Sequence, residues 1–132
     1  MAAILAVLTI TIMPKNMDTE LVHGLSHAEF RCKCGRKWCH YTLVANSLID
    51  SYGNLRRNWG RPLTRISGFR CQFHNQKVGG VFISSHTTGH AIDIATNTYT
   101  ETERQELIRL ARDNFDVVII YPSFIHCHND AA

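Results

Sequence analysis

His86 and Asp93 stand seven residues apart in the stretch Ser84-Ser85-His86-Thr87-Thr88-Gly89-His90-Ala91-Ile92-Asp93, and two more histidines flank a cysteine at His126-Cys127-His128. No other feature constrains the fold as much. These side chains form one site only if the chain brings a loop, a strand and its C-terminal segment to the same place. A catalytic zinc ion takes about three protein ligands and keeps a fourth position for water. One Asp and two His can supply that set, so the pattern points to a single zinc ion and hydrolytic chemistry. The metal would lower the pKa of a bound water to near 7 and polarise a carbonyl. Gly89 and Ala91 leave the backbone near the metal uncrowded. On a strand, residues two apart share a face. His126 and His128 therefore point the same way, and both serve as ligands only if the metal sits between them.

The surrounding pattern reads as one small domain. Ser26-His27-Ala28-Glu29 has the spacing of a capping box and predicts a short helical turn. It runs into a loop, Phe30 to Gly35. Leu43, Leu48, Tyr52 and Leu55 recur at near-helical spacing and predict a helix from about Thr42 to Trp59, ended by Gly60-Arg61-Pro62. Leu63 to Ser67 reads as a strand, Gln72 to Ser84 as a loop turning at Gly79-Gly80, and Ala91 to Ala95 as a strand carrying Asp93. Thr100-Glu101-Thr102-Glu103 is a second capping box, opening a helix to about Phe115 with Leu107, Leu110 and Ala111 on its apolar face. Val117 to Tyr121 and Phe124 to His128 form a hairpin around Pro122-Ser123. This order of elements implies an α+β domain: a small, mostly antiparallel sheet with helices packed on one face.

The length of 132 residues suits a single domain, and 45% hydrophobic against 19% charged residues is enough to build a core. Residues 1–20 read as an apolar lead segment and 21–132 as the domain. Ala2 to Met13 carries no Lys or Arg ahead of its apolar run, so no signal peptide is expected. At about 12 residues that run is too short to span a bilayer, and it reads as a strand or a disordered lead, with Met13 or Met17 as alternative starts. The net charge of +3 suits contact with an anionic polymer such as a bacterial wall but is too weak to argue for nucleic acid. No membrane role and a monomeric chain are expected. Eight histidines at this length strengthen the case for metal.

Five cysteines, Cys32, Cys34, Cys39, Cys71 and Cys127, are an odd number, which argues against a fully paired disulfide framework and for synthesis in a reducing compartment. Pairing of Cys34 or Cys39 with Cys71 is the oxidised alternative. Cys32, Cys34, Cys39 and His40 suggest a structural zinc site only weakly, because their spacing is not that of a C-x-x-C knuckle. Trp38 and Trp59 suit core or lid packing better than stacking on a sugar.

The stretch SSHTTGHAID resembles the SxHxxGxAxD signature of the zinc D-Ala-D-Ala carboxypeptidases, whose relatives include VanX-type dipeptidases, phage L-Ala-D-Glu endolysins and the hedgehog signalling domain. Glu29-Phe30-Arg31-Cys32-Lys33-Cys34-Gly35 is similar to the EFxCxCG lead-in of the small phage and bacterial members, and Pro62 to Cys71 to their PxxIxSGYRC strand. Asn75 with Gly79-Gly80 matches their N..VGG loop, and Phe124-Ile125-His126 their closing FxHxD. The resemblance covers about residues 24 to 128 in the right order. It implies His86 and Asp93 as zinc ligands, with His126 as the third and His128 as the alternative. It further implies that Arg70 holds a substrate carboxylate or the oxyanion, tasks that guanidinium geometry suits, and that Ser84 hydrogen-bonds substrate. The activity implied is hydrolysis of peptide bonds in peptidoglycan stem peptides by a phage-type enzyme made in the host cytoplasm and acting on the cell wall.

The chain departs from the family pattern in two places. Ser123 stands where many relatives have a catalytic Glu, and His128 stands where the closing Asp is expected. His128 is then the candidate general base, since imidazole titrates near working pH. A zinc-binding structural or binding module that has lost catalysis is the competing expectation. A basic zinc-knuckle nucleic-acid module would leave SSHTTGHAID unexplained.

Overall fold

The computed structural model describes residues 10–15, 20–36, 39–80 and 84–130, without the side chain of residue 27. Trp38, Met17, the first nine residues and Val81 to Ile83 lie outside the described residues. The elements in chain order are β1 (Ile10–Pro14), two 3₁₀ turns (Val22–Gly24 and His27–Phe30), β2 (Tyr41–Ala45), α1 (Asn46–Trp59), β3 (Arg65–Ser67), α2 (Gln72–Lys77), β4 (Ala91–Ala95), α3 (Glu101–Asn114), β5 (Val117–Ile120) and β6 (Phe124–His128).

Four strands form one antiparallel sheet in the order β3-β4-β6-β5, and β1 pairs with β2 in a separate two-stranded ribbon. One face of the larger sheet meets the helices. Ile92, Ile94, Ile125 and Cys127 from the sheet pack with Leu48, Ile49, Tyr52 and Leu55 of α1 and with Leu107, Ile108 and Ala111 of α3 in a single core. The α+β architecture inferred from the pattern is therefore the one observed. Both capping boxes form: Ser26 N donates to Glu29 Oε2 at 2.7 Å, and Thr100 N donates to Glu103 Oε1 at 2.9 Å. Trp59 packs against the core and meets Tyr99 edge-on, ring centroids 5.3 Å apart, a packing role rather than an exposed stacking platform. Among the described residues, no helix is long and apolar enough to cross a membrane.

Three elements differ from the expectation. The helix placed at Thr42 starts at Asn46, because Tyr41–Ala45 is extended and pairs with β1 from Ile10↔Ala45 to Pro14↔Tyr41. Leu43 falls on the helical repeat by coincidence of spacing, while Thr42 and Val44 are buried on alternate positions as a strand requires. The strand from Leu63 is shorter, Arg65–Ser67, with a register shift between those residues. The loop from Gln72 contains α2. Its first turn is capped by a thiol, Cys71 Sγ accepting from His74 N at 3.4 Å, where Ser, Thr, Asp or Asn is the usual signal.

Candidate metal centre

Asp93 lies directly opposite His126 across the β4–β6 ladder, and Ala91 lies opposite His128. Directly opposed residues of an antiparallel pair share a face, with Cβ atoms about 5 Å apart. Register alone therefore sets the carboxylate beside the imidazole. The same alternation turns Ile92, Ile94, Ile125 and Cys127 into the core and leaves Asp93, His126 and His128 on the opposite face.

His86 comes from the turn ahead of β4. Its backbone N donates to Ser84 Oγ at 3.1 Å, and its carbonyl accepts from Arg70 N at 3.1 Å and Gly89 N at 3.3 Å. Gly89 has φ of +76°, and a Cβ there would sit 2.4 Å from Leu43 O. Only glycine lets this turn lie against β2, where Ala45 N donates to Gly89 O at 2.8 Å.

The three candidate donors converge. His86 Nε2 is 3.2 Å from both Asp93 Oδ1 and His126 Nδ1, and His126 Nδ1 is 2.9 Å from Asp93 Oδ1. Donors held at about 2.0–2.1 Å by a tetrahedral zinc ion would sit about 3.3 Å apart, so the triangle has the right size. The proton positions follow from the partners. His86 Nδ1 faces Gly68 O at 2.8 Å. A carbonyl only accepts, so Nδ1 carries a proton and Nε2 of the neutral ring turns its lone pair toward Asp93. Protonating both rings instead would set the facing nitrogens of two imidazolium cations 3.2 Å apart around one carboxylate. A single divalent cation satisfies all three groups at once, and two imidazoles with a carboxylate are a donor set that zinc accepts.

Burial alone would raise the Asp93 carboxyl; when His126 and His86 carry protons toward it, their hydrogen bonds and charge outweigh burial and pull it down to about 2, and a cation held in the same place would act in the same direction. The group is thus an anion across the physiological range, as a metal ligand must be. With His126 Nδ1 facing the metal position, its Nε2 carries the proton and donates to His128 Nδ1 at 2.8 Å. A ligating histidine that passes its other N–H to an outer partner is a recurring way of fixing ring orientation. Burial, and then the charge of His126, lower the pKa of His128.

An open cleft of about 470 Å³ borders this cluster, lined by Arg70, Ser84, His86, Tyr121, His126 and His128 among others. Arg70 is half-buried and reaches Ser84 Oγ at 3.5 Å. All the predicted site residues therefore either form the triangle or face the cleft beside it. Two contributors were not foreseen. Tyr121 forms part of the cleft wall, stacked on Phe124 with centroids 4.6 Å apart. The Gly68 carbonyl fixes His86; its sequence signal is the missing side chain, since a Cβ at Gly68 would lie 3.0 Å from Phe30 Cα. The cysteine cluster differs from the weakly suggested zinc set: Cys71, expected only as an oxidised partner of Cys34 or Cys39, joins Cys32, Cys34 and Cys39, while His40 is exposed and outside the group.

The family model described as Peptidase M15 matches residues 23–128. No curated protein matches the chain.

Proposed function

This chain belongs to the peptidase M15 family, and from that premise we propose that it is a zinc peptidase cleaving peptide bonds in peptidoglycan stem peptides, as a carboxypeptidase or an endolysin-type endopeptidase. The observation that carries the reading is the triangle of His86, Asp93 and His126, whose candidate donor atoms converge at separations of 2.9 to 3.2 Å. These three residues are the ligands of one zinc ion. When bound, the ion supplies a water acidic enough to attack at neutral pH and a Lewis acid for the scissile carbonyl.

The remaining steps belong to the chain's own residues. Arg70 presents a rigid fork of N–H donors to the cleft and takes the substrate carboxylate or the carbonyl oxygen as charge develops there. Ser84 Oγ accepts the His86 N–H, which leaves its hydroxyl proton to donate to substrate. His128 is the proton-transfer residue in place of the family's acidic group. Its Nδ1 accepts from His126, so the neutral ring holds its proton on Nε2, 3.8 Å from Asp130 Oδ1, and it takes up a further proton only when the His126–His128 hydrogen bond opens or reverses. The setting we propose is a phage lysis or virion-associated enzyme made in the host cytoplasm, and a net charge of +3 suits its approach to an anionic wall.

One observation favours a second reading, a zinc-stabilised binding module without catalysis. Apart from the candidate ligand Asp93, no Asp or Glu is among the described residues lining the cleft, the nearby Asp130 reaching only His128 Nε2 at 3.8 Å, and Ser123 stands where a catalytic Glu was expected. Digestion of purified peptidoglycan by the wild type and by His86→Ala, each with its fold checked by circular dichroism, separates the two. Peptide fragments released by the wild type alone support the peptidase, and their masses name the bond. Zinc bound by the wild type with no fragments from either protein supports the binding module.

A further inference from the structure

Four cysteines have no part in the chemistry above, yet they are gathered from three separate places. Cys32 and Cys34 lie in the loop after the second 3₁₀ turn, Cys39 just ahead of β2, and Cys71 at the N-cap of α2. Their sulfur atoms all lie within 4.8 Å of one another, and all four are free thiols. We propose that they hold a second zinc ion, structural rather than catalytic, that clamps Cys32, Cys34 and Cys39 to the wall of the active-site cleft.

Four thiolates at about 2.3 Å from a zinc ion stand about 3.8 Å apart, and a set of four leaves no open position for water. The observed cluster needs only a small contraction to reach that size. A disulfide engages two sulfurs and gives no reason for four to converge. The surroundings suit thiolates. Backbone N–H groups of Arg36, Cys71 and His74 point at Cys34 Sγ, Cys32 Sγ and Cys71 Sγ, each at 3.4 Å. The first of these depends on Gly35, whose φ of +69° turns the chain back on Cys34. Lys15 Nζ lies 3.6 Å from Cys34 Sγ and offsets part of the net negative charge of a zinc ion with four thiolates. Soft sulfur donors select zinc over the hard divalent cations, and each thiol releases a proton on binding.

The local core also calls for a staple. Among the described residues, only Cys32, Cys39 and Phe69 are buried there, with Cys34, Leu43 and Cys71 packed partly against them. The clamp bears on the cleft through the chain. Cys71 follows Arg70, Phe69 N donates to Phe30 O at 2.9 Å, and Gly68 O holds His86 Nδ1.

The test is zinc and thiol counting on the full chain purified under reducing conditions. About two equivalents of zinc are expected in the wild type and about one in His86→Ala, with the retained ion released only as four thiols become reactive together. Cobalt added to metal-stripped His86→Ala should give the intense near-ultraviolet thiolate charge-transfer band that a nitrogen–oxygen site lacks. Cys34→Ser combined with Cys39→Ser should remove that band. The inference is overturned if His86→Ala holds no zinc and gives no such band, if the metal-free native thiols are masked only in disulfide pairs, or if all four react freely in zinc-saturated protein. Because His86→Ala removes the cleft ligand alone, failure of the peptidase reading and failure of this one give different results.

Discussion

His126 reaches Asp93 because β4 and β6 are in register, whereas Cys71 reaches Cys32 because two loops pack against each other over a core of three buried residues. Each cluster gathers possible metal donors within a few ångströms, but the supports differ. The histidine–aspartate cluster rests on a hydrogen-bonded sheet whose far face is the main core, so its geometry exists before any ion binds. The cysteine cluster has little apolar packing of its own, and there an ion contributes to folding itself, as in small metal-stapled domains. The geometry of the histidine–aspartate cluster thus comes from strand register, and in the proposed sulfur site local order around the cleft wall comes from the metal.

If that contrast is right, removing a ligand from the two clusters should give opposite signatures. His86→Ala is expected to lower peptide cleavage by about 10³-fold or more, since metal chemistry supplies several kcal/mol of transition-state stabilisation. Its far-ultraviolet circular dichroism should stay native. Cys32→Ser is expected to act through stability, with a loss of about 3 kcal/mol and a fall in Tm of about 10 °C, read by calorimetry. Cleavage by the surviving folded fraction should change much less. A catalytic collapse without a fall in Tm in the cysteine variant would break the comparison.

Gly89→Ala probes the support of the cleft cluster rather than its ligands. The substitution forces a side chain onto φ of +76° with Leu43 O at 2.4 Å, and strain of this kind costs about 2 kcal/mol. Urea titration should show that loss, and zinc affinity at the histidine cluster should weaken because His86 shares the turn. Glu103→Gln, on α3, gives the smallest effect and should alter neither metal count. The Arg61 guanidinium, then the hydrogen bonds at Thr100, hold the Glu103 carboxyl down at about 2 from an ordinary 4.5. Because the folded value is the lower one, this stabilisation is complete above the unfolded value and fades as pH falls through the window from about 4.5 to 2. The Tm gap between wild type and variant should therefore be open at neutral pH and close across that window.

The same contrast decides what could be read from residues alone. The candidate ligands of the cleft, the two capping boxes, β4, α3 and the β5–β6 hairpin are written in local patterns: donor spacing, Ser/Thr three residues ahead of Glu, and alternation. The opposition of Asp93 to His126 was not legible, because register is a property of two strands 33 positions apart. Thr42–Ala45 was hidden for a related reason. Its partner, β1, lies about 30 residues upstream, while Leu43 happens to continue the helical repeat of α1. α2 is short and capped by sulfur, so it carries no ordinary start signal. The sequence links Cys71 to Cys34 or Cys39 only as a possible oxidised pair; its place in a group of four with Cys32 rests on the packing of the 68–71 segment on Phe30, which spacing does not reveal.

The central claim is that His86, Asp93 and His126 hold a zinc ion that cuts wall peptides. The most direct test strips the full chain with a chelator, titrates zinc back, and follows new amino groups released from purified peptidoglycan. The account predicts no release from the stripped protein and recovery as zinc is restored. Release that persists after stripping, or a zinc-saturated chain that frees no amino groups, would contradict it.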